Sequence, residues 1–222
     1  MFENQLQIGT GIYTLPDLSK ILHLPYHKVS RWVNKYWDGD LGKEYKRKYS
    51  RDLDGSKAVN FHTMVEFYIL YLLGEAGVKT RAVLEAHKLL VNQCHTLYPF
   101  ANKHILESIK TDGKTIYLRA KEDILSLDGT EQFNLEFVSF FFKKLEFGDD
   151  ILASRFWPMG KENYVVVDPK RQFGKPILTG TNILPETLYD LYKVEGSSKY
   201  IAYLYEIEEK LVKDAIQYCE AA

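Results

Sequence analysis

Apolar residues between Thr14 and Tyr36 fall into two short helical stripes. The first is Leu15, Leu18, Ile21 and Leu22. Thr14 is a natural N-cap for it, and Asp17 sits three residues on, where a carboxylate faces the free N–H groups of the first turn. His23-Leu24 breaks the pattern, and Pro25 opens a second helix with Val29, Trp32 and Val33 as its buried stripe. Tyr26, His27, Lys28, Ser30, Arg31 and Lys35 are left on its outer face. The next segment, GKEYKRKYSR, is bracketed by the turn formers Asp38-Gly39-Asp40 and Asp54-Gly55-Ser56, which predicts an exposed hairpin or wing. Behind Asn60 as cap, residues 61–73 are apolar on nearly every side, so this helix is expected to lie in the core or in a dimer interface. Gly74 and Gly77 end it. Val83, Leu84, His87, Leu90, Val91, Cys94 and Leu97 then line one face of a further helix.

From residue 114 the period changes to two. KTIYLRA reads as a strand, and Leu127-Asp128-Gly129-Thr130 places a hairpin turn between ILSL and TEQFNL. Residues 135–147, LEFVSFFFKKLEF, form an aromatic-rich helix or strand whose Phe137, Phe140, Phe141 and Leu145 suit either a core or a partner. In the tail a strand ends at Asp168-Pro169, Gly174 and Gly180 permit tight turns, and Pro176 suits a sheet edge. Ser197 or Ser198 caps a helix that packs through Ile201, Ala202 and Leu204. Glu206-Ile207 turns the chain into a last helix lined by Leu211, Val212, Ala215, Ile216 and Cys219. The expected fold class is mainly α with small β elements. It comprises an N-terminal winged helix-turn-helix at 1–98, a connecting region at 99–160 and a small helix-turn-helix-like domain at 161–222.

Composition adds little to this: 222 residues, 45% hydrophobic and 27% charged, are ordinary for a globular chain with a substantial core. The distribution of charge adds more. Thr14 to Arg51 holds nine Lys and Arg against four Asp and Glu, a net of +5, so in a chain of −1 the rest carries −6. The last 37 residues, Glu186 to Ala222, hold four Lys and eight acids, a net of −4. A basic island on a helix-turn-helix is the footprint of duplex DNA binding, with the second helix in the major groove. Lys28, Arg31 and Lys35 suit phosphates or guanine edges; Ser30 and His27 suit phosphate or base, and Tyr26 shares their face. Lys43, Lys46, Arg47, Lys48 and Arg51 are the candidate phosphate contacts of the wing. An acidic helix pair is a poor groove reader, so the tail is expected to contact protein.

Other chemistries find little support. Cys94 and Cys219 lack metal-ligand spacing and read as reduced structural thiols in a cytoplasmic protein. His87 and Cys94 read as packing rather than as a metal site. No signal peptide is visible in Met1 to Gly11, and the apolar run Val65 to Leu73 is too short to cross a membrane. No paired-carboxylate, Ser/His or phosphate-loop constellation stands at diagnostic spacing, so neither an enzyme nor a cofactor is expected; the GTG and GTN tripeptides are too short to count. DNA half-sites usually mirror a two-fold protein, which predicts a homodimer joined through the Phe61–Leu73 helix or the aromatic middle.

The element order over residues 12–93, with the EAGV junction before the last helix, resembles the winged DNA-binding domain of MerR regulators. Residues 164–220 resemble the bacterial domain of unknown function 433 found in VapB-type antitoxins. The features are Asp168-Pro169, Gly174-Lys175-Pro176, Thr179-Gly180-Thr181, Ile183, Pro185, the Glu195-Gly196 stop and the two closing helices. Asn182 stands where that family usually carries Arg. The resemblance implies a PIN-like ribonuclease toxin encoded alongside, which the antitoxin binds and inhibits, together with repression of its own operon. Such nucleases gather carboxylates around Mg²⁺ or Mn²⁺, so Lys170, Arg171 and Lys175 are the candidate partner contacts. The alternative is a stand-alone MerR-like transcription regulator with a small-molecule or protein effector, the pocket then lying in residues 100–160.

Overall fold

In a computed structural model, residues 9–53, 55–111, 116–120, 123–124 and 142–221 are described, with backbone pairing alone between 109 and 124. Among them the chain is mainly α-helical with three small antiparallel sheets. The front opens with β1 (Tyr13–Thr14) and α1 (Leu15–Leu22). Thr14 and Asp17 close a reciprocal capping box: the Thr14 N–H donates to Asp17 at 2.9 Å, and the Asp17 N–H donates to the Thr14 hydroxyl at 3.4 Å. His23 ends α1 in the left-handed region at φ 52, where glycine is commoner. Two residues later comes α2 (Tyr26–Arg31).

The helix does not stop at Asp38-Gly39-Asp40. It widens into a π-helical segment, Trp32–Leu41, and continues into α3 (Gly42–Glu44), so the expected turn there is absent. The reason is tertiary. The Asp38 carboxylate accepts the Tyr49 and Ser50 N–H groups, both at 3.0 Å, and the Ser50 hydroxyl at 2.5 Å, and it pairs with the Lys57 ammonium at 2.8 Å. Asp38 thus pins the hairpin β2 (Ser50–Leu53) and β3 (Ser56–Val59) to the helix. Gly42 is needed for close approach, because a Cβ there would lie 2.6 Å from the Arg47 carbonyl. The hairpin is therefore β2–β3 alone, and Lys43 to Lys48 lie ahead of it.

Asn60 caps α4 (Phe61–Glu75), accepting the Thr63 N–H at 2.9 Å. Helix α4 is buried over most of its length within its own chain, with His62, Tyr71 and Leu72 half-buried and Gly74 and Glu75 exposed. Against it packs α5 (Thr80–Cys94), through Val83, Leu84, His87, Leu90 and Val91. Cys94 is exposed rather than on this stripe, because His95 turns left-handed and ends the helix there.

After α6 (Lys103–Ser108), strands β4 (Ile109–Thr111), β5 (Ile116–Ala120) and β6 (Asp123–Ile124) form the second sheet. Strand β5 matches the KTIYLRA expectation. The Leu127–Thr130 turn and Phe137, Phe140 and Phe141 fall outside the described residues. The third sheet has the order β10-β9-β8-β7 and is built from β7 (Leu145–Phe147), β8 (Ala153–Phe156), β9 (Val165–Val167) and β10 (Pro176–Leu178). It runs across residue 160, where the sequence places a domain limit. Leu145, Ala153, Phe156 and Val167 join the front core, while Val165 and Leu178 join the tail core, so this sheet is a shared wall.

The tail closes with α7 (Pro185–Glu195), α8 (Ser198–Tyr205) and α9 (Glu209–Ala221). Gly196 at φ 68 caps α7, Ser197 caps α8, and Glu206 at φ 54 turns the chain into α9. Leu188, Ile201, Val212 and Ala215 fill their core. Leu204, expected inside, is exposed. No helix among the described residues is long and apolar enough to cross a membrane.

Candidate functional site

Burial of Val29, Trp32 and Val33 fixes which way α2 faces and leaves Tyr26, His27, Arg31 and Lys35 in solvent together. Arg31 and Lys35 each lie 5.8 Å from the centroid of the Tyr36 ring. Lys28 is half-buried and lies sideways, 5.5 Å from the Trp32 ring and 5.0 Å from Tyr71, so aromatic faces hold its ammonium. Ser30 accepts the Asn34 side-chain amide at 3.2 Å.

The basic segment divides. Lys43, Lys46 and Lys48 are exposed, and Arg51 is half-buried on β2. Lys43 borders an open cleft with Arg81 and Lys88, but both of those cations are paired, to Glu85 at 3.0 Å and Glu44 at 3.2 Å. Arg47 does not face outward. Its guanidinium lies 4.5 Å from the Tyr49 ring and 5.7 Å from Tyr98, and Nη2 donates to the Tyr98 hydroxyl at 3.3 Å. The chain reverses at Lys46, φ 49, with the Arg47 N–H on the Gly42 carbonyl, and so turns Arg47 inward.

In the tail, Lys170, Arg171 and Lys175 share the β9–β10 loop. Lys170 and Lys175 are exposed; Arg171 Nη2 donates to Asn182 Oδ1 at 2.8 Å, so Asn182 acts as an acceptor here. Gln172, Phe173 and Gly174 are all left-handed, and the Phe173 carbonyl accepts the Ile12 N–H at 2.9 Å, tying the loop to the front. The Tyr13 ring packs where a Cβ on Gly11 or Gly174 would stand. Its hydroxyl is buried without a partner among the described residues, and burial, with Asp168 and Asp17 nearby, pushes its pKa well above the usual tyrosine value.

Front and tail meet across α1. Lys20 pairs with Glu186 at 3.3 Å, and His23 lies edge-on to Tyr218 at 6.0 Å. Burial holds the His23 pKa below its ordinary value, outweighing the nearby Ala221 backbone, which favours the charged ring. A cavity of about 160 Å³ lies in this seam, bordered by Tyr13, Asp17, Lys20, Lys175, Glu186 and Tyr218. Burial also pushes the Cys219 thiol up to about 11, which makes it a poor nucleophile. No group of three or more His, Cys, Asp or Glu among the described residues is placed to hold a metal ion.

Two features escape sequence reasoning. One is the fully buried Glu66. Its carboxylate accepts Trp37 Nε1–H at 2.9 Å and the Phe100 N–H at 3.4 Å, and it lies 2.9 Å from His87 Nε2. A lone Glu inside an apolar run, together with a His on the stripe facing it, was the available signal. The other is an exposed apolar face on α8, formed by Tyr200, Tyr203 and Leu204 beside Val194 of α7.

The tail matches a family described as Protein of unknown function (DUF433), over residues 165–219. Nearly the whole chain has a curated relative: a Mycobacterium tuberculosis (strain ATCC 25618 / H37Rv) protein named "Putative antitoxin VapB45", 22% identical over an alignment of 237 positions, gaps included, that covers 96% of each chain. The crystal structure of Rv2018 from M. tuberculosis shares the fold, with a TM-score of 0.67 and 18% identity, covering 95% of this chain and 98% of that one.

Proposed function

We propose that this chain is the antitoxin of a type II toxin–antitoxin pair. The observation that carries the reading is the likeness to a protein named as an antitoxin over 96% of both chains, front and tail alike. In this reading the front, 1–98, is a MerR-like winged helix-turn-helix that binds operator DNA as a homodimer and represses the operon. The tail, 161–222, binds and inhibits a PIN-like ribonuclease, and the chain has no catalytic activity of its own. The exposed face of α2 and the π-helical segment after it supports the DNA half: Tyr26, His27, Arg31 and Lys35 stand clear of the core, and Lys43, Lys46 and Lys48 add exposed positive charge. The exposed cations Lys170 and Lys175, with Arg171, support approach to a carboxylate-lined site.

Anisotropy titrations of duplex from the chain's own promoter test the DNA half. Affinity is expected to fall steeply with salt, and Lys35→Ala to flatten the slope of log K against log salt by about one unit. Arg31→Ala is expected to change sequence preference. Arg47→Ala is expected to leave the slope alone, since its guanidinium is stacked on tyrosines. A salt-independent affinity would refute the reading. For the nuclease half, full inhibition by Lys170→Ala/Arg171→Ala at unchanged affinity rejects the cation insertion.

A further inference from the structure

Resting on the reading of the tail as nuclease-binding, we infer that α8 is the docking surface, and that its counterpart is an apolar groove rimmed by basic residues. Positions 200, 203 and 204 are spaced i, i+3, i+4, so their side chains share one face. Ile201 and Ala202 face inward and are buried, which anchors the helix and turns that stripe outward. The stripe is apolar where a solvated helix would be polar: Tyr203 is 82% exposed, Leu204 53% and Tyr200 48%, with Val194 80% exposed at the end of α7. Tyrosines on a short, capped, rigid helix bring large contact area at small entropic cost, which is the character of interface anchors.

The charges flanking this face decide the occupant. Glu195, Glu206 and Glu208 are exposed next to it along the chain, against Lys199 and Lys193, the latter already paired with Asp190 at 2.6 Å. A second copy of this chain would use the same patch on both sides of a two-fold interface and set acid against acid. Duplex DNA is disfavoured for the same reason of sign. A protein whose groove carries Lys or Arg at its edge satisfies both the apolar stripe and the acidic surround. A ribonuclease needs cations near its substrate channel to hold the RNA backbone, so it can present such a groove.

The test uses the full-length chain and the ribonuclease encoded beside it, with affinity read by calorimetry. Tyr203→Asp and Leu204→Asp are each expected to weaken binding by about 30-fold. Glu206→Lys is expected to slow association several-fold at low salt. Circular dichroism and thermal melting of these variants should match the wild type, because the side chains are exposed. A wild-type chain that fails to bind the nuclease overturns both the functional reading and this assignment. Wild-type binding left unchanged by Tyr203→Asp and Leu204→Asp overturns the docking surface alone. Sedimentation equilibrium covers the remaining occupant: if Tyr203→Asp converts a dimer of this chain to monomer, the face joins two copies and the assignment falls.

Discussion

Glu66→Leu offers the sharpest check on how the front is held together. Leu has nearly the volume of Glu, so the change removes acceptors without opening a large cavity. What it leaves behind are two well-placed buried donors, Trp37 Nε1–H and the His87 ring N–H, and a weaker third at Phe100. A buried donor deprived of its partner costs about 1–3 kcal/mol, and here two such donors and a weaker third are stranded together. The expected loss is therefore about 3–5 kcal/mol, a large part of the roughly 5–15 kcal/mol that holds an ordinary domain. Glu66→Gln keeps one acceptor oxygen and should lose about half as much. Removing both partners in Glu66→Leu/His87→Leu should restore part of the loss, since the orphaned ring leaves with its acceptor, giving a coupling of at least about 1 kcal/mol. Urea unfolding followed by circular dichroism supplies all the numbers. A Glu66→Leu variant within about 1 kcal/mol of wild type, or a double variant whose losses simply add, would refute the network as a structural element.

Asp38 supplies a pH signature. Burial would raise its pKa, but the Lys57 ammonium and the Ser50 hydrogen bonds outweigh that and hold it below the usual carboxylate value. A lowered folded value means that its contribution to stability is present above the ordinary carboxylate range, near pH 4, and is lost as pH falls through the folded value. The urea midpoint gap between wild type and Asp38→Asn should thus be widest near neutrality and narrow toward pH 3; a pH-independent gap would count against the pinning role. Gly174→Ala is expected to lower the melting temperature by several degrees, because its Cβ would overlap the Tyr13 hydroxyl and the backbone is left-handed there at φ 89. Tyr13→Phe, which removes a hydroxyl with no partner among the described residues, should be neutral or slightly stabilising, and a loss above about 1 kcal/mol would reveal a partner.

Much of the chain could be read in advance because the determining contacts are short in sequence. The Thr14–Asp17 box, the Asn60 cap, the burial of Phe61–Leu73, the Gly196 stop and the inward stripe of α9 are settled by residues three or four apart, where the backbone's own geometry brings partners together. So are the helix and strand character of the tail and the exposure of Tyr26, His27 and Arg31 on α2, while Lys28 and Ser30 are half-buried. Asp38-Gly39-Asp40 misled because the same residues that make a turn locally serve as a long-range cap, with Asp38 reaching Ser50 and Lys57. Arg47 misled for a related reason, since its tyrosine partners include Tyr98, far along the chain. Leu204 lies beside buried positions, yet nothing in one helix's pattern tells whether a neighbouring element covers the flank of its stripe.

The sequence by itself therefore determined where helices start and stop, which faces are apolar and where charge collects, all matters of local spacing and composition. Only the tertiary structure decided which acid meets which base, which arginine is withdrawn from solvent and which tyrosines are left exposed. Those outcomes depend on contacts between residues tens of positions apart, and such contacts are chosen by packing of the whole core rather than by any preference of the segment that carries them.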